Sequence, residues 1–305
     1  MPTKEELKRL QNLSLDEKII ITKLRITEWY EHYNGSVHVS FSGGKDSSVL
    51  LNIARQVYPD MPAVYVDTGL EFPEVKAHVK ATPNVTIIRP DMSFKEVIDK
   101  YGWVYPSKDV AQIIYYAKKG IEWANNCLNG INKDGTKSKF KSAIYPKWKP
   151  LLDAPFNISH NCCNIMKEKP MHAYEKSNGT HGIVATMAVE SIRRKQAWEK
   201  TGCNAFNTKY PVSKPMSFWT EDDILQYIHN NNIAIPSVYG DIVQQKGHWK
   251  TTGEQRTGCM FCLIGCHLEK ENKFQRMHRT HPKIYDYCMD KLGMREILDY
   301  IGVPY

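Results

Sequence analysis

One stretch constrains the fold more than any other: Val37-His-Val-Ser-Phe-Ser-Gly-Gly-Lys-Asp-Ser-Ser-Val-Leu-Leu51. Val37, Val39 and Phe41 alternate with polar residues and predict a short buried strand. Val49, Leu50, Leu51 and Ile53 open an apolar helix. Between them lies Ser42-Gly43-Gly44-Lys45-Asp46-Ser47-Ser48. Two adjacent glycines lack Cβ atoms, so the backbone can turn sharply and approach a ligand closely. The turn feeds a helix N-terminus, whose free N–H groups and positive dipole end suit an anion. Ser42, Ser47 and Ser48 add hydroxyl donors, and Lys45 adds a point charge for phosphate. The glycine spacing excludes the GxxxxGK[ST] loop. The stretch reads as a phosphate cradle, with a serine-capped glycine turn as the plainer alternative.

The flanking chain predicts parallel strands joined by helices. Residues 3–33 have a helical pattern, with Ser14 and Glu17 as a capping box ahead of Ile19, Ile20, Leu24 and Ile26. Strands are expected at Ala63–Val66, Val85–Ile88 and Gly182–Met187, and Thr220 with Asp223 reads as the cap of a helix starting at Glu221. In such sheets ligands bind beyond the carboxyl ends of the strands, which is where Ser42–Ser48 and Asp67-Thr68-Gly69 fall. The expected domains are a helical segment 1–35, an α/β nucleotide-binding domain 36–240 and a cysteine-containing helical segment 241–305. Within the second, residues 118–149 carry eight lysines against Glu122 and Asp134. Lysines interleaved with Trp123, Tyr145 and Trp148 suit phosphates and stacked bases, and a solvated insertion is the bland alternative. The net charge of +8 permits an anionic partner without proving one. The charged start has no apolar leader, and no run approaches the roughly 20 residues of a membrane helix, so no membrane partner and a cytoplasmic location are expected.

In a cytoplasmic chain, eight cysteines point to metal or redox work rather than disulfides. Cys162 and Cys163 are adjacent, and Cys259 and Cys262 form a CxxC. Four thiolates suit zinc or an iron–sulfur cluster, and an adjacent pair spreads more easily around the corners of a 4Fe–4S cube than around one small ion. Cys266 is an alternative ligand. Cys127, Cys203 and Cys288 read as small buried hydrophobes.

In order along the chain, five motifs resemble the phosphoadenosine-phosphosulfate (PAPS) reductase family of PP-loop ATP-pyrophosphatases. They are Ser42–Ser47; Asp67-Thr-Gly-Leu-Glu-Phe-Pro-Glu74; Cys162-Cys163 with Lys167 and Pro170; Glu190-Ser191 with Arg194; and Pro215 to Thr220 with Gly258-Cys259 and Cys262. The resemblance implies an α/β fold with a parallel sheet and helices on both faces, plus helical N- and C-terminal additions. It implies binding of ATP or a related adenine nucleotide with Mg²⁺ by Ser42, Gly43, Gly44, Lys45, Asp46, Ser47, Ser48, Asp67, Thr68, Gly69, Glu190 and Ser191. Lys45, Asp46 and Arg194 would act in catalysis, Asp46 orienting the metal and Arg194 holding phosphate. Like iron–sulfur members of the family, the chain would hold a 4Fe–4S cluster on Cys162, Cys163, Cys259 and Cys262. Two departures stand out. The tail Tyr300-Ile-Gly-Val-Pro-Tyr305 lacks the family's nucleophilic cysteine, and Ala185 and Met187 replace a Gly-x-Arg.

Three functions fit. The foremost is ATP-dependent activation of an acceptor for sulfur transfer, the acceptor being nucleic acid as in DNA phosphorothioation and the sulfur coming from a cysteine desulfurase. The second is an adenylylsulfate (APS) or PAPS reductase releasing sulfite. The third is a nucleotide-binding module without turnover.

Overall fold

The computed structural model describes residues 2–305 and divides into two compact units. The first contains residues 2–67, 71–89 and 170–257, and holds the whole main sheet. Its strands are β1 Val37–Ser40, β2 Ala63–Val66, β3 Val85–Ile88, β4 His181–Ile183, β5 Asn204–Ala205 and β6 Val212–Ser213. They stand in the order β3-β2-β1-β4-β6-β5. All neighbouring pairs run parallel except β5 and β6. β1 is central and buried, with Val37 and Val39 in the core and Val39 at 0% exposure, and it also buries His38. The reversal of strand order beside β1 opens the crevice where α/β sheets bind ligands.

Helices supply the rest of this core. Trp29, Ile26, Ile53, Phe218 and Trp219 are completely buried together. The expected helix over 3–33 is two helices, Lys4–Gln11 and Leu15–His32. The break follows from Ser14, which must take an extended backbone to cap Glu17, and the full capping box forms there. Thr220 and Asp223 form the second expected capping box, on the helix Glu221–Asn231. Asp223 also receives the buried Lys18 ammonium at 2.7 Å, tying this helix to Leu15–His32. Strand β4 is shorter than its apolar pattern. Beyond Ile183 the Met187 amide turns to the Glu190 carboxylate and the Ala188 amide to the Ser217 carbonyl, so the backbone leaves the ladder. A hairpin of β7 Ile242–Gln245 and β8 His248–Thr251 completes the unit.

The second unit, residues 68–70, 90–169 and 258–305, is helical. It contains Phe94–Tyr101, Lys108–Ala117, Glu122–Leu128, Lys139–Ile144, Lys273–Thr280, Pro282–Asp286 and Met294–Ile301. Residues 118–149 are therefore folded, with Ser142 Oγ and the Lys141 ammonium bonded to the Gly130 and Ile131 carbonyls. Among the described residues no helix is long and apolar enough to cross a membrane.

Candidate functional site

In the first unit β1 delivers the chain to Ser42, and the helix Lys45–Val57 leaves from Gly44. The sharp turn is made at Gly43, whose φ of +73° is in the left-handed region. A Cβ there would lie 2.5 Å from Val79 Cγ2. Gly44 has an ordinary φ of −83° and acts as N-cap. The serines organise the turn: the Ser42 and Ser47 hydroxyls are 2.9 Å apart, Ser47 Oγ donates to the Gly44 carbonyl, and the Gly44 amide donates to Ser42 Oγ. Ser48 Oγ joins the Gly44 carbonyl to His78 Nε2, at 3.1 and 3.0 Å. Ser42 itself is exposed at the open end of the loop.

Lys45, expected as a point charge for phosphate, is buried and already paired. Only 1% of it is exposed. Its ammonium donates to the Gln255 carbonyl at 3.0 Å and pairs with Glu221 at 3.0 Å and Asp46 at 3.5 Å. Burial works against its charge, but Asp46, Glu221 and Tyr239 outweigh it and raise the pKa above the usual lysine value. Asp46 Oδ1 is buried and accepts no hydrogen bond, its nearest cation being the Lys45 ammonium.

The cations open to an anion stand on the Glu190–Arg194 side. Ser191 caps the helix Ile192–Thr201 by accepting from the Arg194 amide at 3.2 Å. One carboxylate, Glu190, pairs with the Arg194 guanidinium and, at 3.7 Å, with Arg256. Burial and then Arg256 work against the Arg194 charge, while Asp46 supports it. Burial and then Arg194 push the Lys214 pKa down. Sequence reasoning passed over Arg256 and Lys214. Their only signal was position, just ahead of the Thr257-Gly258-Cys259 and Pro215–Thr220 motifs. Asp67, at the end of β2, is neutralised by Lys76 at 3.0 Å and Arg89 at 3.5 Å.

The second unit holds the four paired cysteines. Thr68 and Gly69 belong here, and Thr68 Oγ1 accepts from the Leu70 amide at 3.2 Å. Cys162 and Cys163 precede the π-helical turn Asn164–Glu168, and the Cys262 amide donates to the Cys259 carbonyl at 3.2 Å. Burial pushes the Cys162 thiol far up, and Cys163, Cys259 and Cys262 push it further. Cys163 is raised by burial, against Lys108. Cys163, Cys259 and Cys262 thus act on Cys162, although among the described residues no three Cys, His, Asp or Glu groups converge as a ready cage for one ion. Their all-sulfur chemistry fits a cluster that takes ligands at separate corners. Cys266 is buried, and desolvation raises its thiol to about 11. Of the aromatic residues in 118–149, Tyr145 is buried with its hydroxyl on Asp109 and Trp148 packs edge-on to Tyr105 and His267. Trp123 (46% exposed) and Phe140 (67%) face solvent among the lysines.

Residues 36–114 and 126–268 match the phosphoadenosine phosphosulfate reductase domain. An uncharacterised protein of Methanocaldococcus jannaschii is 23% identical over 293 residues, covering 95% of this chain, which spans only 54% of that relative's length. The adenosine 5'-phosphosulfate reductase of Staphylococcus haemolyticus is 27% identical, with 70% of each chain covered. Sulfate adenylyltransferase subunit 2 of Shewanella baltica is 27% identical, covering 77% of this chain and 68% of its own. The domain match takes in the glycine turn, the Glu190–Arg194 segment and all four paired cysteines, and the chain belongs to the phosphoadenosine phosphosulfate reductase family.

Proposed function

We propose that the chain is an ATP-pyrophosphatase that adenylates an acceptor and so activates it for sulfur transfer. Ser42–Ser48 would take the nucleotide's phosphates, with Arg194, Arg256 and Lys214 neutralising them. Asp46 Oδ1, a buried oxygen without a hydrogen bond, suits a Mg²⁺ ion, which supplies charge neutralisation during phosphoryl chemistry. An acceptor oxygen attacks the α-phosphorus and pyrophosphate leaves. The terminal sulfur of a donor persulfide, as on a cysteine desulfurase, then displaces AMP, and a second thiol of the donor cleaves the resulting S–S bond, releasing the thiolated acceptor and leaving a donor disulfide. Glu190 keeps Arg194 and Arg256 on one side of the turn. Cys162, Cys163, Cys259 and Cys262 would hold a 4Fe–4S cluster, which supplies sulfur-coordinating or redox capacity when bound. Nucleic acid, with DNA phosphorothioation as the model reaction, is the acceptor that matches a lysine-rich tract, residues 118–149, carrying the exposed Trp123 and Phe140 rings.

One observation carries transfer over reduction. Reductive cleavage of a sulfonucleotide needs a free thiolate that reaches sulfur. Outside the four cluster cysteines, Cys127, Cys203, Cys266 and Cys288 are all buried. Burial raises the Cys203 thiol to about 11 and the Cys288 thiol to about 12. The reductase reading is favoured by the Staphylococcus relative's name, and one experiment separates the two. Anaerobic protein is incubated with ATP or with APS plus a reduced thiol, with single-stranded DNA present or absent. Pyrophosphate from ATP, stimulated by DNA and falling steeply with salt, is expected. Sulfite from APS would overturn the proposal in favour of a reductase, and salt-independent turnover would remove the nucleic acid from it.

A further inference from the structure

The cradle is closed by the chain's own oxygens. Tyr239 ends the short turn Ser237–Tyr239 and is 2% exposed. Its hydroxyl accepts from the Lys45 amide at 3.1 Å and stands 2.7 Å from Thr257 Oγ1. A Cβ on Gly44 would come within 3.0 Å of the same hydroxyl, so the phenol oxygen lies directly over the Gly44–Lys45 peptide. The Gln255 carbonyl meanwhile takes the Lys45 ammonium at 3.0 Å. The first helical amide and the lysine are the donors a bound phosphate would use first. Each donates to a neutral oxygen from one segment, residues 239–257, the ammonium in addition to pairing with the Glu221 and Asp46 carboxylates.

We infer that Tyr239 and Gln255 stand in for phosphate oxygens, and that the Tyr239 hydroxyl must vacate the Lys45 amide when a nucleotide binds. The inference rests on the phosphate reading of Ser42–Ser48. Three features argue for a displaceable occupant rather than a permanent brace. A helix-terminal N–H bonds a charged oxygen about twice as strongly as a neutral one, so a phosphate outcompetes a phenol. Thr257 offers the hydroxyl a second partner. The backbone beneath is independently secured, because the Gly253 and Glu254 amides bond to the Tyr239 and Val238 carbonyls, and Asp222 holds the β7–β8 hairpin through the Trp249 amide at 2.7 Å. The side chain can therefore leave without unfolding the segment. The closed state lowers apparent affinity by the fraction of molecules that are open. Tyr239 thus sets a threshold that only a strongly charged ligand passes, and it selects phosphate chains over neutral nucleosides.

The test is calorimetric titration of the full chain with inorganic pyrophosphate and Mg²⁺ at fixed ionic strength. Tyr239→Phe keeps the ring and removes the competing oxygen. Binding should tighten about threefold to tenfold, the worth of one neutral hydrogen bond. Thr257→Val, which takes away the partner that the hydroxyl keeps when it leaves the amide, should act in the opposite direction and weaken binding, and it serves if the first variant misfolds. Ser42→Asp puts a negative charge at the exposed end of the loop and should abolish binding. Weaker or unchanged binding in Tyr239→Phe, or tighter or unchanged binding in Thr257→Val, with Ser42→Asp inactive, would overturn the inference and leave the cradle standing. Unchanged binding in Ser42→Asp would remove the cradle itself, and this inference with it.

Discussion

Gly43→Ala tests the turn on which the proposed nucleotide site depends. The φ of +73° costs a non-glycine residue about 1–2 kcal/mol in steric strain. The new methyl would also meet Val79 Cγ2 at 2.5 Å and Val75 Cγ1 at 2.9 Å, closer than real Cβ contacts come. Overpacking of that kind costs about 1–3 kcal/mol. The sum, about 2–5 kcal/mol, is a large part of the roughly 5–15 kcal/mol that stabilises a folded protein. Urea unfolding followed by circular dichroism should show the midpoint falling with little change in slope. Gly44→Ala is the control. Its φ of −83° suits any residue and its new methyl meets side-chain hydroxyls, the Tyr239 oxygen at 3.0 Å first, so it should cost less. Val79→Ala removes the closest clashing atom, so the Gly43→Ala/Val79→Ala pair should be less destabilised than the sum of the singles, by roughly 0.5–3 kcal/mol. Strict additivity, or a Gly43→Ala protein as stable as the parent, would refute the reasoning.

Other expectations follow from buried groups. His38 is 1% exposed, and burial, then His181, lowers its pKa from 6.5 to about 4. Between those values the unfolded chain takes up a proton that the folded chain refuses. Stability should therefore be intact above pH 6.5 and fall toward pH 4, by at most about 3 kcal/mol. A urea midpoint just as pH-dependent in His38→Gln would contradict this. Lys18→Met strands the Asp223 carboxylate in the core and should cost about 3–5 kcal/mol in thermal unfolding, with Lys18→Met/Asp223→Asn recovering part of it. Anaerobically prepared protein should be brown with about four irons per chain, and Cys162→Ser should lose them. Colourless protein with one zinc, or iron loss in Cys266→Ser alone, would rule out the ligand set.

Where sequence and structure agree, local physics was enough. Strands β2 and β3 fall where their apolar runs predict, because Pro59, Pro62 and Pro83 punctuate the chain before them. The capping boxes at Ser14 and Thr220 form as read, since each needs only residues three apart. Tertiary competition decided what was missed. Strands β5 and β6 are two residues each and carry no periodic signal. Nothing in the dipeptide says which glycine takes positive φ. It is Gly43, where Val75 and Val79, far along the chain, also leave no room for a side chain. Tyr145 and Trp148 share a basic tract with Trp123, and only packing against Asp109, Tyr105 and His267 distinguishes them.

Charge is where composition misled most. Lys45 carries the charge the motif advertises, yet Glu221, Asp46 and the Gln255 carbonyl already satisfy it, so an arriving phosphate gains little from it without displacing them. Arg194, Arg256 and Lys214 are in the opposite condition. Arg194 and Lys214 are partly desolvated, Arg194 feels the repulsion of Arg256 and Lys214 that of Arg194, and Glu190 pairs with both arginines. A dianion placed among them gains attraction and also relieves repulsion that the empty protein bears, and both gains grow as water is excluded. The same three cations answer the departure at Ala185 and Met187. Met187 is 2% exposed and its amide is committed to Glu190, so an arginine would not fit there. Positive charge reaches this side of the turn instead from Lys214, just beyond β6, and from Arg256, just beyond β8. On the nucleotide reading, the missing arginine is a relocation of charge rather than a loss of it.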